Sequence, residues 1–203
     1  MELPGRGMRG SEQILSDMDS LAEDLYWRYQ DEILSGERYA ILGHSMGAVL
    51  GTMLTKKILA AKLPPPAHLF VSGRTGPAYQ FEFIRKVSAL VGDEFIGWVK
   101  RSGSPFGEVL EDAEFAEFFE PVLRGDFQAC ENYAYSSSPP VPVPITVLYG
   151  KDENMTPAQL LAWQQESSRP IKTYGFTGGH FFIYDHFPAI ALLISHSLSG
   201  YHP

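Results

Sequence analysis

Apolar residues occur along this chain in two alternating patterns, as short continuous runs and as longer stretches with helical spacing. The short runs predict buried strands at 39–44, 68–73, 145–150 and 171–176. Apolar residues three or four positions apart predict helices over 12–34, from Ser45 to about 63, from 157 to about 167, and over 188–198. Alternating strands and helices indicate an α/β fold with a mostly parallel sheet that helices cover on both faces.

Residues 77–138 interrupt this alternation, because they have helical patterning and no clear strand. Pro121 predicts that one helix ends here and that another begins with proline in its first turn. The segment ends at a stiff, proline-rich connector over 136–144. We therefore expect one domain over residues 1–203, with 77–138 inserted as a helical lid over one end of the sheet.

Composition narrows the class of protein. The chain has 203 residues and a net charge of −8, which suits one domain and argues against a nucleic-acid partner. Its one cysteine excludes an intrachain disulfide, and neither a signal peptide nor a membrane-spanning run is visible. We expect a cytoplasmic protein that does not bind membranes. The sequence also contains no metal-ligand cluster and no phosphate-binding or dinucleotide fingerprint, so we expect neither a metal nor a cofactor.

The stretch Gly43-His44-Ser45-Met46-Gly47 lies between a predicted strand and a predicted helix. In this context G-x-S-x-G is typical of a serine on a strained turn, which raises Oγ above the sheet. The turn would also point the backbone N–H of Met46 at a developing oxyanion. The alternative is that Ser45 only caps the following helix. We favour the nucleophile because the apolar strand and the amphipathic helix both lie where the motif requires them.

A nucleophilic serine needs a general base. His180 is the best placed of the six histidines, because it follows a late strand and the flexible Thr177-Gly178-Gly179 loop. His186 is a weaker candidate for the base. We expect His44 to pack beneath the serine turn.

The base needs a carboxylate to orient it. Asp152 and Glu153 follow the strand at 145–150, which gives the order serine, acid, histidine that is typical of α/β-hydrolases. Asp152 has the commoner side chain for this role, whereas Glu153 has the usual spacing after a strand-ending glycine. We favour Asp152 and keep Glu153 as the alternative acid. The other carboxylate is expected to be solvated ahead of the next helix.

Five segments carry a more specific pattern than G-x-S-x-G does. They are ELPGRGMR (2–9), YAILGHSMGAVLG (39–51), LFVSGRTGP (69–77), PVLRGDFQACENYAY (121–135) and GFTGGHFFIYDH (175–186). With these segments in this order, the chain resembles the type II thioesterases that accompany non-ribosomal peptide and polyketide synthases, within the α/β-hydrolase superfamily. The resemblance implies Ser45 as nucleophile, His180 as base, an acid at 152–153, and a lid over an acyl pocket.

The resemblance also implies the reaction. Such enzymes hydrolyse acyl thioesters from the phosphopantetheine arm of acyl or peptidyl carrier-protein domains, through an acyl-serine intermediate. The phosphopantetheine belongs to the substrate, so no cofactor of the enzyme is implied. A general carboxylesterase or acyltransferase on the same triad is the alternative among enzymes.

Two sets of lid residues fit such a substrate. The first could supply apolar surface to an acyl chain, although we expect most of its members to pack the lid itself: Phe81, Phe83, Ile84, Val87, Phe95, Ile96, Trp98, Phe115, Phe118 and Phe119. The second could meet an acidic carrier surface or its phosphate, although each member alone is better explained as solvated: Arg74, Lys86, Lys100, Arg101 and Arg124.

The chain departs from the family pattern at its start, where Met1 is followed almost at once by the Leu3-Pro4-Gly5-Arg6 segment. Roughly the first forty family residues, including the loop that supplies a second oxyanion-hole N–H, have no counterpart. An edge of the sheet would then be uncovered. We favour a start internal to a longer protein over a short form with a substitute donor. A non-catalytic protein that only binds carrier domains is the third explanation.

Overall fold

The computed structural model describes residues 1–79 and 86–200, which contain a four-stranded parallel sheet. The strands are β1 (Ile41–His44), β2 (Leu69–Ser72), β3 (Ile145–Gly150) and β4 (Lys172–Phe176). They lie in the order β1-β2-β3-β4, and each neighbouring pair is parallel. The predicted α/β class and all four predicted strands are confirmed.

Helices lie before, between and after these strands in the chain. The α-helices are α1 (Met18–Arg28), α2 (Gln30–Leu34), α3 (Met46–Ala60), α4 (Asp93–Arg101), α5 (Phe106–Val109), α6 (Ala113–Asn132), α7 (Pro157–Leu161), α8 (Phe182–Asp185) and α9 (Phe187–Ser199). Short 3₁₀ helices occur at Gly7–Arg9, Val87–Ala89 and Ala162–Glu166.

The two middle strands form the core of the sheet. Every residue of β2 is buried, and β3 is buried except at Tyr149. This matches their continuous apolar sequences, which are typical of parallel strands covered on both faces. The outer strands differ, because β4 exposes its first three residues and Leu42 of β1 is 42% exposed. Among the described residues β1 pairs only with β2, so its other edge is open.

The chain divides into two compact units. One comprises Met1–Leu25 and Gln80–Ala134, and the other comprises Tyr26–Tyr79 and Tyr135–Pro203. The second unit contains the whole sheet. The first has its own apolar cluster, formed by Val87, Leu90, Phe95, Val99 and Leu110. Its segment Gln80–Ala134 has nearly the same bounds as the predicted lid of 77–138. The sequence did not predict that the first 25 residues belong to the same unit.

An ion pair and close packing attach the first residues of the chain to α6. The guanidinium of Arg6 donates two hydrogen bonds to the Asp126 carboxylate, at 2.7 and 2.8 Å. Such bidentate pairs fix geometry as well as contribute energy. A Cβ at Gly125 would lie 2.6 Å from Cγ2 of Ile14, so the start of the chain packs directly on α6. The Leu-Pro-Gly-Arg segment therefore has a structural role within this unit.

Two predicted helices differ from the observed ones. The helix expected over 12–34 starts only at Met18, because the Asp17 carboxylate accepts a hydrogen bond from Ser20 N at 2.7 Å and caps its first turn. It is also broken at Tyr29. The helix expected to reach about 167 changes to 3₁₀ geometry after Leu161.

The prediction that Pro121 separates two helices is wrong, because α6 continues through it. Phe119 and Leu123, on either side of the proline, pack against the same apolar cluster. This shared packing keeps one helix despite the lost backbone hydrogen bond.

A capping box forms the start of α7. Thr156 Oγ1 accepts from Gln159 N at 3.3 Å, and Gln159 Oε1 accepts from Thr156 N at 2.8 Å.

A buried histidine at the start of β2 makes stability depend on pH. Burial chiefly, and then the positive charge of Lys172, lower the pKa of His68 to about 4. The unfolded chain, with an ordinary histidine pKa of about 6.5, therefore binds more protons between these values. The stability contributed by neutral His68 is complete above pH 6.5 and is lost as the pH falls toward 4, by roughly 2 kcal/mol.

The His68→Gln variant tests this assignment by urea unfolding at pH 7 and pH 4.5. Between these pH values its free energy of unfolding should fall less than that of the wild type, because glutamine does not titrate. Equal decreases in the two proteins would contradict the assignment.

Candidate active site

Ser45 occupies the strained turn between β1 and α3. Its backbone has φ 55° and ψ −116°, a conformation that non-glycine residues rarely adopt. Its side chain makes no capping hydrogen bond to α3, which argues against the interpretation of Ser45 as a simple helix cap. Such strain is typically retained where the surrounding structure needs a particular side-chain direction. The turn therefore has the geometry expected of a nucleophile elbow.

A close approach of strand and helix makes this turn possible. A Cβ at Gly43 would lie 1.9 Å from the carbonyl oxygen of Gly47, so only glycine fits there. A Cβ at Gly47 would meet no atom of the described residues within 4 Å. The steric requirement of the motif therefore falls on its first glycine. Met46 is the first residue of α3, where backbone N–H groups have no partner within the helix.

His180 is paired with Glu153. The distance between His180 Nδ1 and Glu153 Oε1 is 2.7 Å, and the other carboxylate oxygen accepts from Gly150 N at 2.8 Å. The Glu153 side chain is 5% exposed, whereas that of His180 is 33% exposed. A buried carboxylate on Nδ1 favours the tautomer that carries its proton there. Nε2 is then left free to accept a proton.

The loops that carry these two residues are bound to each other. Lys151 N donates to Phe176 O at 2.8 Å, and Asp152 N donates to Gly178 O at 3.1 Å. A Cβ at Gly150 would lie 2.4 Å from the carbonyl oxygen of Gly179, so this glycine permits the contact. The positions of Glu153 and His180 are therefore fixed together.

Backbone contacts bring Ser45 and His180 to the same end of the sheet. Ser45 N donates to Ser72 O at 2.8 Å. Cε1 of His180 lies 3.3 Å from the position that a Cβ on Gly73 would take. The serine turn and the His180 ring thus contact consecutive residues at the end of β2. This is the carboxyl end of the parallel strands, where α/β folds bind ligands.

The structure separates the two candidate acids. Glu153 contacts the His180 ring, whereas Asp152 is exposed and contributes its backbone N–H to the loop contact. Our preference for Asp152 as the partner of His180 therefore does not agree with this geometry. The reason is the turn after β3, in which Glu153 N donates to Gly150 O at 3.1 Å and its side chain folds back toward the strand end.

The other histidines have different partners. His186 Nε2 lies 3.0 Å from both the hydroxyl and the carbonyl oxygen of Thr177, so it closes the loop that carries His180. His44 lies against β2, with Nδ1 2.9 Å from Ser72 Oγ. Sequence reasoning missed Ser72 and Gly73 as part of this site. The available signal was the position of this Ser-Gly pair at the end of a predicted strand.

Several lid cations are already engaged within the helical unit. Arg124 donates to the carbonyl oxygens of Ser88 and Leu90 and to Glu120, and it lies 4.1 Å from the centre of the Phe95 ring. Lys100 pairs with Glu111, and Lys86 donates to Asn132. Each of these three cations, which were considered for a carrier surface, therefore has a structural partner within the unit.

Some of the apolar lid residues pack within the helical unit, and others are exposed. Val87 and Phe95 are buried in the cluster of the helical unit, which Ile96, Trp98 and Phe119 cover. Phe115 and Phe118 are exposed, at 54% and 74%. The remaining three, Phe81, Phe83 and Ile84, lie outside the described residues.

The described residues were also expected to lack a metal site and a membrane-spanning segment. Among residues 1–79 and 86–200, no three His, Cys, Asp or Glu side chains are grouped so that they could hold a metal ion. No helix within the same ranges is both long and apolar enough to cross a bilayer.

A family model and several known proteins match most of this chain. The thioesterase domain family matches residues 1–198. The gramicidin S biosynthesis protein GrsT of Aneurinibacillus migulanus is 35% identical over 187 residues, which are 91% of this chain and 72% of that protein.

Solved structures include close matches in fold. The type II thioesterase BorB from the borrelidin biosynthetic cluster gives a TM-score of 0.86 at 32% identity, covering 97% of this chain and 79% of BorB. The RedJ thioesterase from the prodiginine pathway in Streptomyces coelicolor gives 0.83 at 30% identity, covering 98% and 73%. The chain therefore belongs to the thioesterase family, as an α/β-hydrolase enzyme of the type II thioesterase group.

Proposed function

We propose that this enzyme hydrolyses acyl thioesters carried on the phosphopantetheine arm of acyl or peptidyl carrier-protein domains, with Ser45, His180 and Glu153 as its catalytic residues. The observation that supports this most directly is the 2.7 Å contact between His180 Nδ1 and Glu153 Oε1 beside the strained turn at Ser45. This pairing gives the base and the acid the relationship that acyl transfer requires, at the end of the sheet where the serine turn also lies.

The first half of the reaction forms an acyl-enzyme. Ser45 Oγ attacks the thioester carbonyl carbon while Nε2 of His180 takes the hydroxyl proton. Glu153 stabilises the imidazolium that forms, and the N–H of Met46 donates to the oxyanion. The carbon–sulfur bond then breaks, and the pantetheine sulfur leaves as a thiol with the proton from His180.

Water completes the cycle. His180 takes a proton from a water molecule, whose oxygen attacks the acyl carbon of the Ser45 ester. The second tetrahedral intermediate breaks its bond to Oγ, and His180 returns the proton to the serine. A free acid is released and the enzyme is regenerated.

The relatives support the carrier-bound substrate. BorB is described as a type II thioesterase from a biosynthetic cluster, and RedJ as a thioesterase from a biosynthetic pathway. In such systems the acyl group is held on a carrier protein, so we propose that carrier domains are the partners of this chain. We also propose that the enzyme needs no cofactor of its own and works in the cytoplasm.

Comparing acyl-pantetheine thioesters with matched oxygen esters tests the substrate class. We expect kcat/KM to be higher for the thioester, because the thiolate is the better leaving group. Loading the same acyl group on a holo-carrier protein should raise kcat/KM further, if carrier domains are the partners. Faster turnover of the oxygen ester would favour a general carboxylesterase. A folded protein that turns over neither ester and does not react with a fluorophosphonate probe would favour a non-catalytic binder.

A further inference from the structure

His44, the residue before the candidate nucleophile, lies between β2 and the His180 ring. Its Nδ1 is 2.9 Å from the hydroxyl oxygen of Ser72. Its ring centre is 4.9 Å from that of His180, with 43° between the ring planes. The Phe182 ring meets His44 edge-on at 5.9 Å. The ring is therefore held from β2 on one side and contacts the loop of the candidate base on the other.

Gly73 brings the two imidazoles together. A Cβ at this position would lie 2.5 Å from Cε1 of His44 and 3.3 Å from Cε1 of His180. The residue also has φ +60°, which favours glycine. The end of β2 thus provides a surface without a side chain, on which both rings rest.

The surroundings of His44 keep its ring uncharged at neutral pH. Burial chiefly, and then the positive charge that His180 carries when protonated, lower the pKa of His44 to about 4, whereas Glu153 and the backbone of His180 act in the opposite direction. Its Nε2 is buried, and within the described residues no well-aligned hydrogen bond reaches it. A neutral neighbour can support the His180 ring without opposing the positive charge that the ring acquires during proton transfer.

We propose that His44 is a positioning residue for His180: fixed to β2 through Ser72, it holds the imidazole in the orientation in which Nε2 accepts the Ser45 proton. This inference rests on the proposed function, since it takes His180 as the base. His44 itself exchanges no proton with the substrate. Small displacements of a reacting group can cost about 100-fold in rate, so a support of this kind has a measurable effect.

Four variants test the proposal. His44→Phe keeps an aromatic ring and removes both nitrogens, and Ser72→Ala removes only the hydroxyl that holds Nδ1. The matched controls are at the other end of β2, where His68 Nε2 is 2.9 Å from Thr146 Oγ1 and the buried ring stacks on Phe70. His68→Phe and Thr146→Val therefore make the same chemical changes away from the site.

The measurements are kcat and KM for an acyl-pantetheine thioester and the rate of fluorophosphonate labelling of Ser45. His44→Phe should lower kcat and the labelling rate about 10- to 100-fold with little change in KM. Ser72→Ala should lower both rates less, and it should have no further effect in the His44→Phe background, because the two residues act through one contact. The control variants should keep wild-type rates.

Three results would overturn the proposal. They are unchanged rates in folded Ser72→Ala and His44→Phe, equal losses in the control pair, and independent effects of Ser72→Ala and His44→Phe. Ser72→Ala keeps the test valid if His44→Phe does not fold. Labelling separates this inference from the proposed function: a wild-type protein that is labelled but cleaves no thioester contradicts the substrate assignment, while the variants still report on the position of His180.

Discussion

Replacing Ser45 with alanine should lower thioester hydrolysis by at least about 10⁴-fold, because the acyl-enzyme can no longer form. The remaining His180–Glu153 pair could still activate water, which would give only slow direct hydrolysis. The variant should remain folded, since the Ser45 side chain makes no cap to α3. Turnover of an acyl-pantetheine thioester and the circular dichroism spectrum should be measured on the same preparation.

Fluorophosphonate labelling adds a chemical readout. Wild-type protein should gain one covalent adduct on the peptide that contains Ser45, and Ser45→Ala should gain none. Ser35→Ala is the matched control, because Ser35 is an exposed serine of the same compact unit, at the end of α2. Labelling that persists in Ser45→Ala, or wild-type turnover in that variant, would remove Ser45 from the mechanism.

The sequence predicts the sheet well because each strand is a continuous apolar run. β2 and β3 are the clearest examples, since burial on both faces requires apolar side chains at nearly every position. The predicted strands also locate Ser45 and His180, because ligand-binding residues of α/β folds lie at the carboxyl ends of parallel strands. Local patterns thus carry most of the information about the sheet and about two residues of the site.

The sequence is a poorer guide to features that depend on contacts between distant segments. The pairing of Arg6 with Asp126 joins positions 120 residues apart, and nothing local to either residue indicates it. Pro121 alone predicts a helix break, but packing on both of its sides keeps α6 continuous. Periodicity describes one segment at a time, so it cannot show that tertiary packing overrides a local preference.

The identity of the acid depends on the path of one short turn. Asp152 and Glu153 are adjacent, and their sequence context is almost the same. What separates them is the hydrogen bond from Gly150 N to Glu153, which turns one carboxylate back to the strand end and leaves the other in solvent. The spacing of three from Gly150 indicates the carboxylate that contacts His180, whereas the commoner residue type indicates its neighbour.

Glu153→Gln should lower kcat about 10³- to 10⁴-fold, whereas Asp152→Asn should stay within about two-fold of wild type. Both oxygens of the Glu153 carboxylate accept hydrogen bonds, one from Gly150 N and one from His180 Nδ1. In glutamine an NH₂ group replaces one of these two oxygens, so only one of the two positions can still accept a hydrogen bond. If its NH₂ group faces His180, the imidazole takes the other tautomer and Nε2 can no longer receive the Ser45 proton.

The two variants form a matched pair, since each replaces a carboxylate by its amide in adjacent residues of one loop. Asp152 contributes its backbone N–H to Gly178 O, and the substitution leaves that bond intact. Steady-state kinetics with one acyl-pantetheine substrate should be combined with urea unfolding, so that a loss of rate is distinguished from a loss of folded protein. A severe loss in Asp152→Asn with near-normal Glu153→Gln would assign the acid to Asp152. Because the contact that orients His180 comes from Glu153, we expect the opposite order.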